Sequence, residues 1–296
     1  MPTIAELVQE TGSQFTGYSY AFLDSAAKRE LRRAMLKAVA IPGYQVPFGS
    51  REVPVARGFG TGGLQITLSI IGPGDVVKVI DQGDDAGVNA NNIRRLIERT
   101  TGLPTTLETA EATVVQTRHR IPEEVMREDQ ILVLQVPYPE PLRLVERSQT
   151  VARTMHGEKD YAQMWLALYE DVVRKGEVTV GAGYPVVVNR RYIMAPTPVP
   201  RWDLPKLHRS RTLHIFGAGR EKRIYAIPPY TDVCPMEFDD IKFEIEEFGG
   251  RPCARCGSTA AFLTERLNAD GSRTLTCSDT AYCDLALTGG QPETWY

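Results

Sequence analysis

Four of the five cysteines gather near the C-terminus, as Cys253, Cys256, Cys277 and Cys283, while Cys234 stands apart upstream. Their spacing, C-x2-C-x20-C-x5-C, is that of a metal site. In PCARCGS (252–258) a tight turn points two thiolates at one ion, and Gly257 permits the backbone this needs. The second pair is looser than the usual C-x2-C. In a reducing compartment such a cluster means metal or redox chemistry rather than disulfides. Spacing alone leaves two outcomes open. Four thiolates closing on zinc leave no position at which anything reacts. Three thiolates on a four-iron cluster leave one iron open, where S-adenosylmethionine can bind. Of these, spacing favours zinc.

Other stretches carry weaker chemistry. GFGTGG (58–63) contains G-x-G-x-x-G through Gly58, Gly60 and Gly63, with Gly62 between them. The following LQITLSIIG (64–72) reads as a strand, and a dinucleotide fingerprint requires a helix there. A backbone nest for a phosphate and a plain flexible loop both stay open. In QTRHRIP (116–122), Arg118, His119 and Arg120 suit a phosphate or phosphonate oxyanion, or equally a solvated strand end with a packed histidine. FGAGREKR (216–223) is similar. Gly43 follows a helix end and a proline, where glycine is the ordinary turn residue. His156, His208 and His214 lack partners at ligand spacing and read as structural. Neither a Ser/His/Asp motif nor a Walker loop is present.

These residues must be positioned by elements. DSAAKRELRRAMLKAVA (24–40) is an amphipathic helix, capped by Asp24 or Ser25 and stopped near Ile41 by Pro42. NANNIRRLIERTTG (89–102) is a helix ended by Gly102, and 148–175 another with Gly176 as its stop. Strands are expected at 112–118, 129–141 and 222–229, with hairpins at 184–194, turning at Asn189-Arg190, and at 260–277. The fold class is therefore a mixed α/β (α+β) body with a helical insertion and a small C-terminal zinc-ribbon-like four-cysteine module. The expected organisation is a leader at 1–17, a catalytic body at 18–139 with 199–250, an insertion at 140–198 and the cysteine module at 251–296. With 296 residues and a net charge of −3, the chain has room for such a body and offers no basic field for nucleic acid or a membrane surface. Without a signal-peptide pattern or an apolar run of about 20 residues, a cytoplasmic location is expected.

Read in order, YSYAFLD, AVAIPGYQVPFG, GFGTGGLQ, VIDQG, QTRHRIPE, QVPYPEPLR, FGAGREKRIYAIPP, CARCGST and CSDTAYC closely resemble the J subunit of bacterial carbon–phosphorus lyase. The blocks run from about Gly17 to Cys283; the chain departs from the family in its N-terminal leader and in its tail. The resemblance implies a radical enzyme acting on α-D-ribose 1-methylphosphonate 5-phosphate. Its products are 5-phospho-α-D-ribose 1,2-cyclic phosphate and methane. It implies a 4Fe–4S cluster on Cys253, Cys256 and Cys277 that splits S-adenosylmethionine, a glycyl radical at Gly43 and a thiyl radical at Cys283. In an oxidised protein all four cysteines are expected to close on zinc, with Cys283 as fourth ligand. The resemblance also implies company: other subunits of the lyase core, and an ATP-binding-cassette subunit; the helical 140–198 segment is a candidate docking element for it, although core packing is the commoner use of an apolar helix face. Gly58, Gly60, Gly62, Gly63, Arg118 and His119 then become candidates for binding the substrate's phosphate or phosphonate. Two rivals stand beside this reading: a zinc-ribbon scaffold whose partner does the chemistry, and a metal-dependent phosphoester hydrolase. The cysteine spacing differs from the common C-x3-C-x2-C of enzymes that cleave S-adenosylmethionine, and IPGY differs from the usual glycyl-radical motif.

Overall fold

In the computed structural model, residues 25–49, 61–136, 186–194, 201–219, 221–235 and 248–290 are described, with a few isolated positions besides. The expected leader and most of the 140–198 insertion lie outside them, as does the helix expected at 148–175 apart from a few isolated positions.

Helix α1, Ser25–Ala40, buries Ala27, Leu31, Ala34, Met35 and Ala38, the i, i+4, i+7 stripe its sequence predicts. It ends at Ala40, next to the stop expected near Ile41, and Gly43 at φ +79° turns the chain into the short strand β1, Val46–Pro47. Then follow α2 (Thr61–Ile70), β2 (Val77–Ile80) and α3 (Val88–Thr101). Gly102, at φ +73°, closes α3 by donating its N–H to Glu98 O at 2.8 Å. The strands β3 (Thr105–Thr106), β4 (Val114–Thr117) and β5 (Ile131–Gln135) come next. After them come the hairpin β6–β7 (Val186–Val188, Tyr192–Met194), a 3-10 helix Arg201–Leu207, β8 (Leu213–Ala218), β9 (Arg223–Ile227) and β10 (Val233–Pro235). The C-terminal part holds the hairpin β11–β12 (Leu263–Leu267, Arg273–Cys277) and α4 (Thr280–Leu287). The β6–β7 turn falls at Asn189-Arg190, as expected, and both residues have positive φ, 49° and 54°.

Seven strands form one sheet in the order β1-β9-β8-β5-β4-β2-β3. From β3 to β8 neighbours run parallel, and β9 and β1 join antiparallel at the far edge. Alternate residues serve two cores. Val77, Val79, Val114, Val133, Ile215 and Ile224 meet α1, α2 and α3 on one face. On the other, Ile80, Val115, Leu132, Leu134, Phe216 and Tyr225 meet β6, β7 and the 3-10 helix. A sheet covered on both faces explains why its strands are short and apolar. Among the described residues no helix is long and apolar enough to cross a membrane.

One expectation is overturned. LQITLSIIG, read as a strand, is helix α2. Leu64, Ile66 and Leu68 alternate with Gln65, Thr67 and Ser69, the period-two pattern of a strand, but all six are buried. A helix buried all round carries no amphipathic signature. Its polar side chains find helical partners instead: Ser69 Oγ donates to Gln65 O at 2.7 Å, one turn back. The ground on which a helix was denied to GFGTGG therefore fails, because a helix does begin at Thr61.

Candidate metal centre

The β11–β12 hairpin returns the chain so that Cys277, its last residue, comes back beside the Cys253–Cys256 knuckle. The knuckle is built by local bonds. Cys253 N–H donates to Ser258 O at 2.9 Å, Gly257 N–H to Cys253 O at 2.9 Å, and Ala254 N–H to Leu275 O at 2.8 Å. Gly257 has φ +73°, the left-handed backbone anticipated for it. Cys283 arrives from α4, where its N–H donates to Asp279 O at 3.2 Å.

All four sulfurs lie within 4.8 Å of one another. Cys253 Sγ is 3.8 Å from Cys283 Sγ, and Cys256 Sγ is 3.6 Å from Cys277 Sγ. Thiolates bound tetrahedrally at the zinc–sulfur distance lie about 3.8 Å apart, so the donor set fits one tetrahedral ion. A four-iron cluster puts each thiolate on a different corner of a cube and needs wider spacing. Cys253, Cys277 and Cys283 are buried and Cys256 is half-buried.

Electrostatics single out Cys253. Burial opposes its ionisation, but the N–H groups of Cys256, Arg255 and Cys277 aim at its sulfur and hold the thiol down at about 6. Cys283 is pushed up to about 12 and Cys277 is raised as well, by burial first and then by the neighbouring sulfurs. Four thiols this close do not all ionise without a cation among them. The module therefore has one ready thiolate in Cys253, while Cys277 and Cys283 await a metal.

The remaining candidates divide. The parallel strands end on one edge of the sheet, which is where α/β sheets bind ligands. Arg118 and His119 follow β4 there, Asp81 follows β2, and Arg118 pairs with Asp81 at 2.7 Å. His119 has φ +76°, and its pKa is lowered to about 4, by burial first and by Arg118 second. Gly62 and Gly63, in the first turn of α2, reach the same edge: Gly63 N–H donates to the Gln135 side chain at the end of β5. A Cβ on Gly62 would stand 2.6 Å from Gly217 O in β8. Gly58 and Gly60 lie outside the described residues. The cysteine module is tied to this edge through Arg120, whose guanidinium lies 3.9 Å from the centroid of the Phe262 ring. Gly43 is not brought there. Its N–H donates to Ala226 O of β9, paired across from Ile215 at the amino half of β8. The three nearest neighbours of a Cβ at Gly43 are side chains of β6 and β7. His214, expected to be structural, is fully buried and faces Ser210 Oγ at 3.3 Å.

Sequence reading passed over Lys78, Asp85, Glu123 and Asp279, which join the module to the body. A signal existed: a lysine inside VVKVI interrupts a buried strand, and buried lysines are paired.

A family model described as phosphonate metabolism protein PhnJ matches residues 16–288. The chain is 53% identical over 272 residues to the alpha-D-ribose 1-methylphosphonate 5-phosphate C-P lyase of Escherichia coli (strain K12), covering 92% of this chain and 96% of that one. It is likewise 53% identical over 268 residues to the corresponding lyase of Rhizobium meliloti (strain 1021), covering 90% of each.

Proposed function

Since the chain belongs to the family of the phosphonate metabolism protein PhnJ, we propose that it is the catalytic subunit of a carbon–phosphorus lyase. Its substrate in this reading is α-D-ribose 1-methylphosphonate 5-phosphate, the compound named for its relatives. Its products are the 1,2-cyclic phosphate and methane. The single observation that supports it best is the common edge. The four-cysteine centre is tied to the strand ends that carry Arg118, His119 and the start of α2. A phosphorylated substrate there meets backbone N–H groups, a guanidinium and a neutral imidazole beside a cluster of sulfurs.

The C–P bond has no leaving group that a general acid can assist, so homolysis is the reasonable route. An iron–sulfur cluster held by Cys253, Cys256 and Cys277, whose sulfurs must part from the 3.6 Å seen between Cys256 and Cys277 to hold it, would supply the electron that splits S-adenosylmethionine. The chain's own residues then divide the work. Gly43 gives up one Cα hydrogen to the fragment split from S-adenosylmethionine, carries the radical at Cα, shared by its flanking amides, and takes the hydrogen of the Cys283 thiol. The Cys283 sulfur adds to phosphorus, and the methyl radical leaves and takes a hydrogen atom back from Gly43. The ribose 2-hydroxyl displaces sulfur from phosphorus, closing the cyclic phosphate and returning the thiol. Gly43 lies beside β9 and the β6–β7 hairpin, and Cys283 lies in α4 of the cysteine module, so this transfer requires a relay or a rearrangement. Residues 251–296 act as the module bearing Cys283, and the 140–198 segment docks an ATP-binding-cassette subunit beside the other subunits of the lyase core.

The test is anaerobic. The protein, with its partner subunits, is reconstituted with iron and sulfide, reduced and given S-adenosylmethionine and substrate. Methane lost in Cys283→Ala, and a paramagnetic signal whose splitting changes with Cα-deuterated glycine, are expected. Methane that persists in Cys283→Ala overturns the assignment. A second reading, a structural zinc module, is favoured by the sulfur separations of 3.6 and 3.8 Å. It predicts that the centre takes up zinc alone and that Cys283→Ala weakens folding and turnover together. The hydrolase reading lacks support, since a closed thiolate set offers water no position.

A further inference from the structure

The two halves of the cysteine centre are held by different parts of the molecule. The knuckle bearing Cys253 and Cys256 makes its backbone bonds within the module, to Ser258, Cys253 and Leu275. The span between Cys277 and Cys283 keeps one backbone bond to the module, from Ser278 N–H to Phe262 O at 3.0 Å, and is otherwise bonded to the body. Asp85, in the loop after β2, donates its own N–H to Ser278 O at 3.4 Å. Its carboxylate accepts from Thr280 twice, from N–H at 2.9 Å and from Oγ1 at 2.5 Å. The first N–H groups of a helix have no partner inside it. Here Asp85 caps α4 from a position 195 residues away. Asp279, the residue before α4, uses Oδ2 to accept from Glu123 N–H at 2.9 Å.

Lys78 joins these carboxylates. Its fully buried ammonium lies 2.8 Å from Asp279 Oδ1 and 3.5 Å from Asp85 Oδ2, and donates to Thr109 Oγ1 at 3.0 Å. Such a network can serve as tertiary glue and nothing more. Its location argues for more than that. It grips the three residues Ser278, Asp279 and Thr280 that follow Cys277, and the Asp279 carbonyl then receives the Cys283 N–H.

We propose that Lys78 and Asp85 are positioning residues for Cys283. Through Asp279 and Thr280 they fix α4, and so decide whether the fourth sulfur reaches the ion that the other three hold. The unusually long x5 spacing is then the length of chain needed to visit the body between the third and fourth ligands. This rests on the reading of the four cysteines as one metal site.

The test uses the full chain loaded with cobalt(II), comparing the unsubstituted protein with Asp85→Asn and Thr280→Val. Both substitutions are nearly isosteric and spare the fold better than Lys78→Met, which leaves two buried carboxylates. The readouts are iodoacetamide labelling of each cysteine, followed by mass spectrometry, and the thiolate-to-cobalt absorption. In both variants Cys283 is expected to label about tenfold faster, with Cys253, Cys256 and Cys277 still protected. The absorption is expected to fall by about a quarter, as one thiolate of four leaves the ion. Equal acceleration at all four cysteines, the mark of general destabilisation, overturns the proposal. So does an unchanged pattern. Rapid labelling of all four in the unsubstituted, cobalt-treated protein overturns the metal reading, and this inference with it.

Discussion

At the scale of single residues, Gly43 shows how a structural demand and a chemical role can share a position. Its φ of +79° is one that side-chain-bearing residues rarely adopt, and a Cβ would stand 2.9 Å from Tyr192 Cβ and 3.0 Å from Val188 Cβ. Gly43→Ala is therefore expected to lose about 1–3 kcal/mol of stability whether or not a radical forms there. Thermal unfolding of the variant measures this, and an unchanged Tm would show that the hairpin gives way. Loss of activity in that variant is no proof of a radical, which is why isotope labelling is the sharper test. His214 offers a second residue-level prediction. Burial alone lowers its pKa to about 3, while in the unfolded chain it titrates near 6.5. Between those values the unfolded state binds the extra proton, so stability falls as pH drops from about 6.5 towards 3. His119, lowered to about 4, adds to the same slope. Urea midpoints at pH 7 and pH 5 are expected to differ less in His214→Gln than in the unsubstituted protein.

At the scale of elements, α2 is the piece whose placement depends most on absent side chains. Gly62 touches Gly217 and Gly219, and a Cβ on Gly217 would strike Ile66 of α2. Helix and strand meet backbone to backbone, which only glycine allows. Gly62→Ala and Gly217→Ala are each expected to cost a few kcal/mol, and their double variant less than the sum, because one displacement of α2 relieves both. Chemical denaturation of the three variants checks this, and strict additivity would argue against a shared contact. The same element marks the limit of what the sequence discloses. Helices α1 and α3 were legible because one face is wet, and α3 also because Gly102 closes it. The β11–β12 hairpin and the cysteine knuckle were legible because their turn residues and spacing are local. The alternation in LQITLSI was misleading, since burial on every side removes the contrast that periodicity needs. Strands β2 and β8 were passed over for a related reason: each carries a residue that is charged or titratable, Lys78 and His214, in a fully buried run. Their partners lie far off in the chain. Lys78 meets Asp279 across 201 residues, a pairing no local pattern contains.

At the scale of the whole molecule, the question is what docks the cysteine module on the α/β body. A second buried network supplies part of the answer. Arg120 and Lys206 face Glu123 and Asp203: Arg120 to Asp203 at 3.2 Å, and Lys206 to Glu123 and Asp203 each at 2.9 Å. Arg120 also bonds Glu123, lies over Phe262, and Glu123 in turn accepts the Phe262 N–H at 3.3 Å. Two cations balance two anions, so removing one cation leaves a buried negative charge unmatched. Arg120→Met is expected to cost about 3–5 kcal/mol, whereas Phe262→Leu, which removes only the ring beneath the guanidinium, should cost about 1 kcal/mol. The location of the damage matters more than its size. If metal holds the module's internal fold while the ion network holds its place, Arg120→Met should raise hydrogen exchange in 118–124 and 201–207 and leave the hairpin amides of 263–277 protected in the metal-loaded protein. Exchange that rises equally in the hairpin would mean that module and body fold as one unit, with the metal centre stabilised by the sheet edge on which it sits.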